Sequence, residues 1–185
     1  MVVAKNMTLE DLQAGLDDIK LSPKDAGAVQ MIVRRPSTEE RESLEEGQLS
    51  LVEGLVGDNW GTRGSSRTAD GSSHPDMQLT IMNTRVIDLI AQGKERWHLA
   101  GDQLFVDMDL SVENMPPGTR ISLGTAVIEA TDQPHTGCKK FVARFGVDAL
   151  KFLNSDIGKE LQFRGINAKV VEPGIVHVGD AARKV

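Results

Sequence analysis

The chain has no tyrosine, two tryptophans and five phenylalanines among its 185 residues. An aromatic set this sparse supplies neither a base-stacking platform nor a ring face for carbohydrate. One cysteine, Cys138, excludes an internal disulfide and a cysteine-rich zinc site, and points to a reducing, cytoplasmic setting. No apolar run approaches the roughly 18 residues of a membrane span, and the opening MVVAKNMTLEDLQ lacks the apolar stretch of a secretion signal. Positive charge is in deficit. A formal net charge of -6 and a pI near 5.2 argue against nucleic acid as a partner, while leaving room for a small anion held by a local cluster of cations. Catalytic signatures are missing as well: there is no GxSxG, Walker A loop, GxGxxG, HExxH or CxxC. Asp107, Asp109 and Ser111 begin like a calcium loop, but Val112 stands where glycine is required and Gly118 where a bidentate glutamate belongs.

What is present is enough apolar residue, 39%, for one domain with a real core. Leu9, Leu12, Leu16 and Ile19 recur at helical spacing behind Thr8 and predict a short N-terminal amphipathic helix. GAVQMIVRRP predicts a strand stopped by Pro36, and the main domain is expected to start there. Ser37-Thr38-Glu39-Glu40 has the spacing of a capping box, so a helix with a solvated acidic face is expected through ERESLEEG. Gly61 to Asp76 is too polar and glycine-rich to bury itself and predicts a long surface loop. QLFVDMDLSVEN alternates cleanly and predicts a strand with one wet face. RISLGTAVIEAT predicts another strand, kinked or bulged at Gly124, and AKVVEPGIVHVGD a terminal hairpin turning at Pro173-Gly174. KKFVARF, ending at Gly146, and VDALKFLNS predict late helices, with Phe141, Val142 and Phe145 and then Val147, Leu150 and Leu153 on their apolar faces. The sum is a β-rich α+β fold, mostly antiparallel, of the barrel or sandwich type.

The chemically loaded stretch is QPHTGCKKF, Gln133 to Phe141. A lone cysteine is by default a small core residue. Here Lys139, Lys140 and His135 stand near it, and Gly137 allows a tight entry into a helix; each of these favours thiolate. His135 is either the base that activates Cys138 or a donor to a loop carbonyl. His98 and His177 are expected to be structural or surface residues. Arg63 and Arg67 lie among glycines, serines and threonines in the polar loop, a composition suited to cradling a phosphate but equally to a mobile surface loop. Arg144 and Arg164 adjoin the same region, and Gly165 suggests close backbone approach beside Arg164.

Several stretches in fixed order resemble the MOSC domain family, named for the C-terminal part of molybdenum cofactor sulfurase. They are GLVGD at Gly54 to Asp58, LAGDQLFVDMDLS at Leu99 to Ser111, PPGTRISLGTAVIEAT at Pro116 to Thr131, the cysteine of QPHTGCKKF, RFG at Arg144 to Gly146, and RGINAKVVEPGIVHVGD at Arg164 to Asp180. The chain departs from many members in having Gly137 rather than proline before the cysteine, and Gly101-Asp102-Gln103 at a turn that is often GEN-like. The resemblance implies a MOSC-type β-barrel with a few peripheral helices over residues 26–185, after a helical extension over 1–25. It implies that Cys138 binds the metal of a molybdenum cofactor (molybdopterin) or carries sulfur as a persulfide. Arg63, Arg67, Lys139, Lys140, Arg144 and Arg164 are the expected anion contacts, and a redox or sulfur-donor protein the expected partner. Nothing supplies a site for pyridoxal phosphate. A metal-free sulfur-handling thiol protein and a non-enzymatic anion-binding barrel remain the alternatives.

Overall fold

The computed structural model describes residues 6–185. In chain order the elements are α1 (Leu9–Ala14), α2 (Leu16–Lys20), β1 (Ala26–Arg34), β2 (Glu42–Leu44), β3 (Glu46–Ser50), β4 (Gly54–Leu55) and α3 (Trp60–Arg63). They continue with β5 (Leu79–Asn83), α4 (Thr84–Ala91), β6 (Leu104–Asp107), β7 (Arg120–Leu123), β8 (Ala126–Ala130), α5 (Lys139–Phe145), α6 (Val147–Asn154), α7 (Asp156–Glu160), β9 (Ile166–Glu172), β10 (Gly174–His177) and β11 (Ala181–Lys184). The strand order β11-β7-β8-β9-β5-β6-β1 closes on itself through a β1–β11 pairing, giving a seven-stranded barrel. Closure leaves those strands no free edge to protect. All pairings within it are antiparallel except β5–β6, which are parallel because α4 carries the chain across between them. No helix among the described residues is long and apolar enough to cross a membrane.

Period-two alternation sorts side chains between two cores. Leu104 and Val106 fill the barrel, whereas Phe105 between them points outward into a helical layer with Met82, Phe141, Phe145, Phe152 and Phe163. A bulge between Val29 and Met31 shifts the phase of β1, so that Val29 and Ile32, three apart, both face inward. The N-terminal segment is expected to be one helix, but it breaks at Gly15 into α1 and α2. Thr8 and Asp11 form a capping box at its start, and Leu12 is fully buried in the helical layer.

Several local expectations fail for identifiable reasons. The acidic stretch expected to be a helix through ERESLEEG forms β2 and β3. Gly47 and Leu49 are buried while Glu46 and Gln48 are exposed, a strand alternation; Glu42 pairs with Arg34 across β1–β2 and Glu46 with His177 across β3–β10. The expected strand over QLFVDMDLSVEN ends at Asp107, and Asn114 ties the following loop down by donating to the carbonyls of Lys24 and Asp109. RISLGTAVIEAT is two strands rather than one, β7 and β8, in a hairpin that turns at Gly124 with φ +56. Its Cβ position lies 2.2 Å from the Ile175 carbonyl, so only glycine fits. AKVVEPGIVHVGD is not a hairpin: β9 pairs with β5 and β8, whereas β10 leaves the barrel and pairs with β3 in a separate three-stranded sheet. In α6 the buried side chains are Ala149, Phe152 and Leu153, and Val147 is exposed.

Candidate functional site

Six separate segments converge at one end of the barrel on a pocket of about 300 Å³. Its wall carries Arg35, Arg41, Arg63, Arg144, Arg164 and Lys140, together with His135 and Cys138; Glu39 is the single carboxylate among the lining residues. Such a concentration of positive charge in a chain of net charge -6 is local and built.

The floor is set by two buried aspartates. Asp58 accepts from the Arg35 backbone N–H at 2.9 Å, from Arg35 Nε at 2.9 Å and Nη2 at 2.7 Å, and from the Trp60 N–H at 3.0 Å. Arg35 Nη1 donates to the Gly101 carbonyl, so this guanidinium is fully engaged and rigid. Asp102 accepts from Arg164 Nη1 at 2.7 Å, and Arg164 Nη2 donates to the Ala100 carbonyl. Gly165 after it has φ +95, and its Cβ position lies 2.0 Å from the Ile81 carbonyl, which confirms the expected close backbone approach. Between them Gln103 accepts from the N–H and hydroxyl of Thr80 and donates to the Gln78 carbonyl. The Gly101-Asp102-Gln103 turn is thus the inner frame of the pocket.

Among the described residues the remaining cations have only Glu39 as a carboxylate partner, while Arg144 Nη1 donates to the Leu99 carbonyl and Arg41 Nη1 to the Glu40 carbonyl. Glu39, with φ +66, bonds both Lys140 and Arg144, and these contacts hold its carboxyl below the usual range. Burial, then repulsion from Arg144 and Arg35, pushes Arg41 below the ordinary arginine value; burial and Arg35 do the same to Arg63. Arg41 Nε, Arg164 Nε and Asn167 Oδ1 are buried without a hydrogen-bond partner among the described residues. Mutually repelling guanidiniums and unmet donors are what an anionic ligand would relieve.

Cys138 is exposed and is the N-cap residue of α5; its carbonyl accepts from the N–H groups of Phe141 and Val142, and its side chain makes no cap hydrogen bond. The default reading of this cysteine as a small core residue therefore does not hold. A Cβ on Gly137 would lie 2.5 Å from Leu150 Cδ1, so glycine lets the approach to α5 sit down on α6. His135 is 12% exposed in its side chain, and its Nδ1 stands 3.6 Å from Asp102 Oδ1, both atoms lacking a hydrogen bond. Burial, reinforced by Arg164 and only partly offset by Asp102, pushes its pKa down to about 3. A neutral imidazole with so low a pKa is a poor proton acceptor for a thiol.

Of the residues the sequence singles out, Arg63, Lys140, Arg144, Arg164, His135 and Cys138 meet at the pocket. Arg67 stands outside the lining, its Nη1 donating to the Pro134 carbonyl and pinning the loop before His135. Lys139 is exposed and also outside the lining. His177 lies at the surface between Glu46 and Asp180, and His98 does not line the pocket. Arg35, Arg41, Asp58, Asp102 and Asn167 were not foreseen. The only signal for the aspartates was their position after glycine in GLVGD and LAGD. An open cavity of about 430 Å³ beside α4 is a weaker candidate: Asp107 is already bound to Arg85, and Asp88 to Trp97 Nε1.

No curated protein matches the sequence. Among solved structures, the YuaD protein from Bacillus subtilis is 14% identical, with a TM-score of 0.63 over 85% of this chain and 94% of that one. A hypothetical protein at 22% identity gives 0.57 over 88% and 68%, and YiiM from Escherichia coli at 20% gives 0.53 over 85% and 69%. These likenesses establish the barrel with its peripheral helices. The model of the MOSC domain matches residues 70–183, which takes in six of the seven barrel strands and the segment bearing Cys138, so the chain belongs to the MOSC domain family.

Proposed function

We propose that this chain binds a molybdenum cofactor in the arginine-lined pocket, with Cys138 as a sulfur ligand to the metal, and acts as a small oxidoreductase or as a cofactor or sulfur carrier. The carrying observation is the convergence of six cationic side chains and an exposed thiol on one pocket. The residues fit the group chemically. Arg41, Arg63, Arg144 and Lys140 offer charge to a phosphate, Asn167 Oδ1 is a free acceptor for a ring N–H, and thiolate is a soft ligand suited to molybdenum. When bound, the group would supply two-electron redox chemistry. The chain's own work is to hold the anion and orient it against rigid Arg35 and Arg164. Glu39 yields Lys140 and Arg144 to the incoming anion. His135, neutral at physiological pH, offers Nδ1 for a hydrogen bond without storing a proton. Turnover as an oxidoreductase further requires a redox partner, and sulfur transfer a sulfur donor.

The test is molybdenum per chain by elemental mass spectrometry, on protein from a cofactor-producing host, beside Cys138→Ser and Arg41→Glu. Near-stoichiometric metal lost in both variants supports the reading. Metal retained by Cys138→Ser removes the ligand role. A second reading, metal-free sulfur handling, is favoured by the exposure of Cys138 and its free side chain. It expects a persulfide on Cys138, released by reductant, in protein that carries no metal.

A further inference from the structure

A second cavity, about 390 Å³, shares His135, Thr136 and Arg164 with the cationic pocket but differs from it in character. Val112 and Met115 line it from the loop after β6, Leu153 from α6 and Ile166 from β9. Val112 is 52% exposed although apolar, and its backbone is fixed by donation to the Glu160 carbonyl. An apolar side chain held rigidly at the mouth of an apolar cavity gains if a ligand covers it. Two donors in the lining lack a partner among the described residues. Lys159 is exposed, and its Nζ makes no ion pair or hydrogen bond among the described residues; Arg164 Nε is buried without a partner. The one lining carboxylate, Asp132, already accepts from Gln133 Nε2.

We propose that this cavity binds a small organic anion with an apolar, ring-sized body, of the aromatic carboxylate class. Its body lies against Val112, Met115, Leu153 and Ile166, and its carboxylate is drawn by Lys159 and the free Nε–H of Arg164. Arg164 lines both cavities, so the two sites share a wall, and binding here is read in the cofactor-free protein; that the bound anion is the substrate presented to the cofactor pocket across His135 and Thr136 rests on the function proposed above.

The experiment is an amide-shift NMR titration of the full chain with benzoate, benzyl alcohol and benzylamine, repeated on Val112→Trp and Lys159→Gln, with inorganic phosphate as a control ligand for the cationic pocket. Both positions are exposed, so both variants should keep the wild-type spectrum. Expected are saturable benzoate shifts at Gln133, Thr136, Gly158 and Ile166, weaker shifts with benzyl alcohol and none with benzylamine. Val112→Trp should weaken benzoate by about tenfold, or roughly 1.4 kcal/mol, and leave phosphate binding unchanged. Lys159→Gln should erase the preference for benzoate over the alcohol. Benzoate shifts that do not saturate, or that survive Val112→Trp unaltered, or benzylamine binding as well as benzoate, would overturn the proposal. Benzoate binding with no response to phosphate in any variant would leave this site standing and count against the cofactor pocket alone.

Discussion

Removing the Asp58 carboxylate tests whether the pocket floor is built as described. The Asp58 side chain is fully buried and that of Arg35 is 7% exposed, so Asp58→Ala leaves a guanidinium in a place water barely reaches. Breaking a buried pair by deleting one partner costs about 3–5 kcal/mol. The orphaned Trp60 N–H adds roughly 1 kcal/mol. For a domain of this size that corresponds to a fall in Tm on the order of 10 °C. Arg35→Met combined with Asp58→Leu removes both charges and fills the space, and should cost much less than the two single changes added together, giving a large favourable coupling in the cycle. Urea unfolding of wild type, Arg35→Met, Asp58→Leu and the double variant measures all four corners, with Asp58→Ala alongside. If Asp58→Ala lies within about 1 kcal/mol of wild type, the site is wetter and less rigid than the geometry states, and the assignment of Arg35 as a fixed wall fails.

His135 is held neutral by burial, with its pKa moved from the usual value down to about 3, so the unfolded chain binds its proton first as pH falls. Stability should therefore be intact above about pH 6.5 and decline towards pH 3, by up to roughly 4–5 kcal/mol from this residue. His135→Leu should flatten that part of the pH–stability curve in urea titrations at pH 7, 5 and 4; an unchanged slope refutes the burial argument. Glu39→Gln frees Lys140 and Arg144, and should tighten inorganic phosphate binding several-fold by calorimetry. Weaker binding would mean that Glu39 organises the cations instead of competing for them.

The barrel was legible in the sequence where strands have one wet face. Ile121, Leu123, Ala126, Ile128 and Ala130 alternate with polar or half-exposed neighbours, and the alternation marks β7 and β8 even though Gly124 is a hairpin turn and not the kink or bulge that the sequence suggests. β5 is harder to see, because Ile81 faces the barrel while Met82 and Asn83 are buried on the outside or at the helix start. With both faces covered the period-two signal vanishes. The acidic stretch from Glu39 to Gly47 misleads for a different reason. Glu39, Glu42 and Glu46 all look like helix-face charges, but each answers a partner remote in the chain or across a ladder: Lys140 and Arg144, Arg34, and His177. Those partners appear only once the strands pair.

The same distinction separates the two halves of the candidate site. Cys138, His135 and Lys140 were legible because they crowd one short stretch, where proximity in sequence implies proximity in space. Arg35 and Asp58 lie 23 residues apart, and Asp102 and Arg164 lie 62 apart. No local pattern announces such pairs, since only the assembled tertiary fold brings them together, and their burial makes them costly unless they meet. Yet these remote pairs, more than the cysteine-bearing stretch, shape the pocket. They fix two guanidiniums as walls and leave Arg41, Arg63, Arg144 and Lys140 as the adjustable charge that an anion would neutralise.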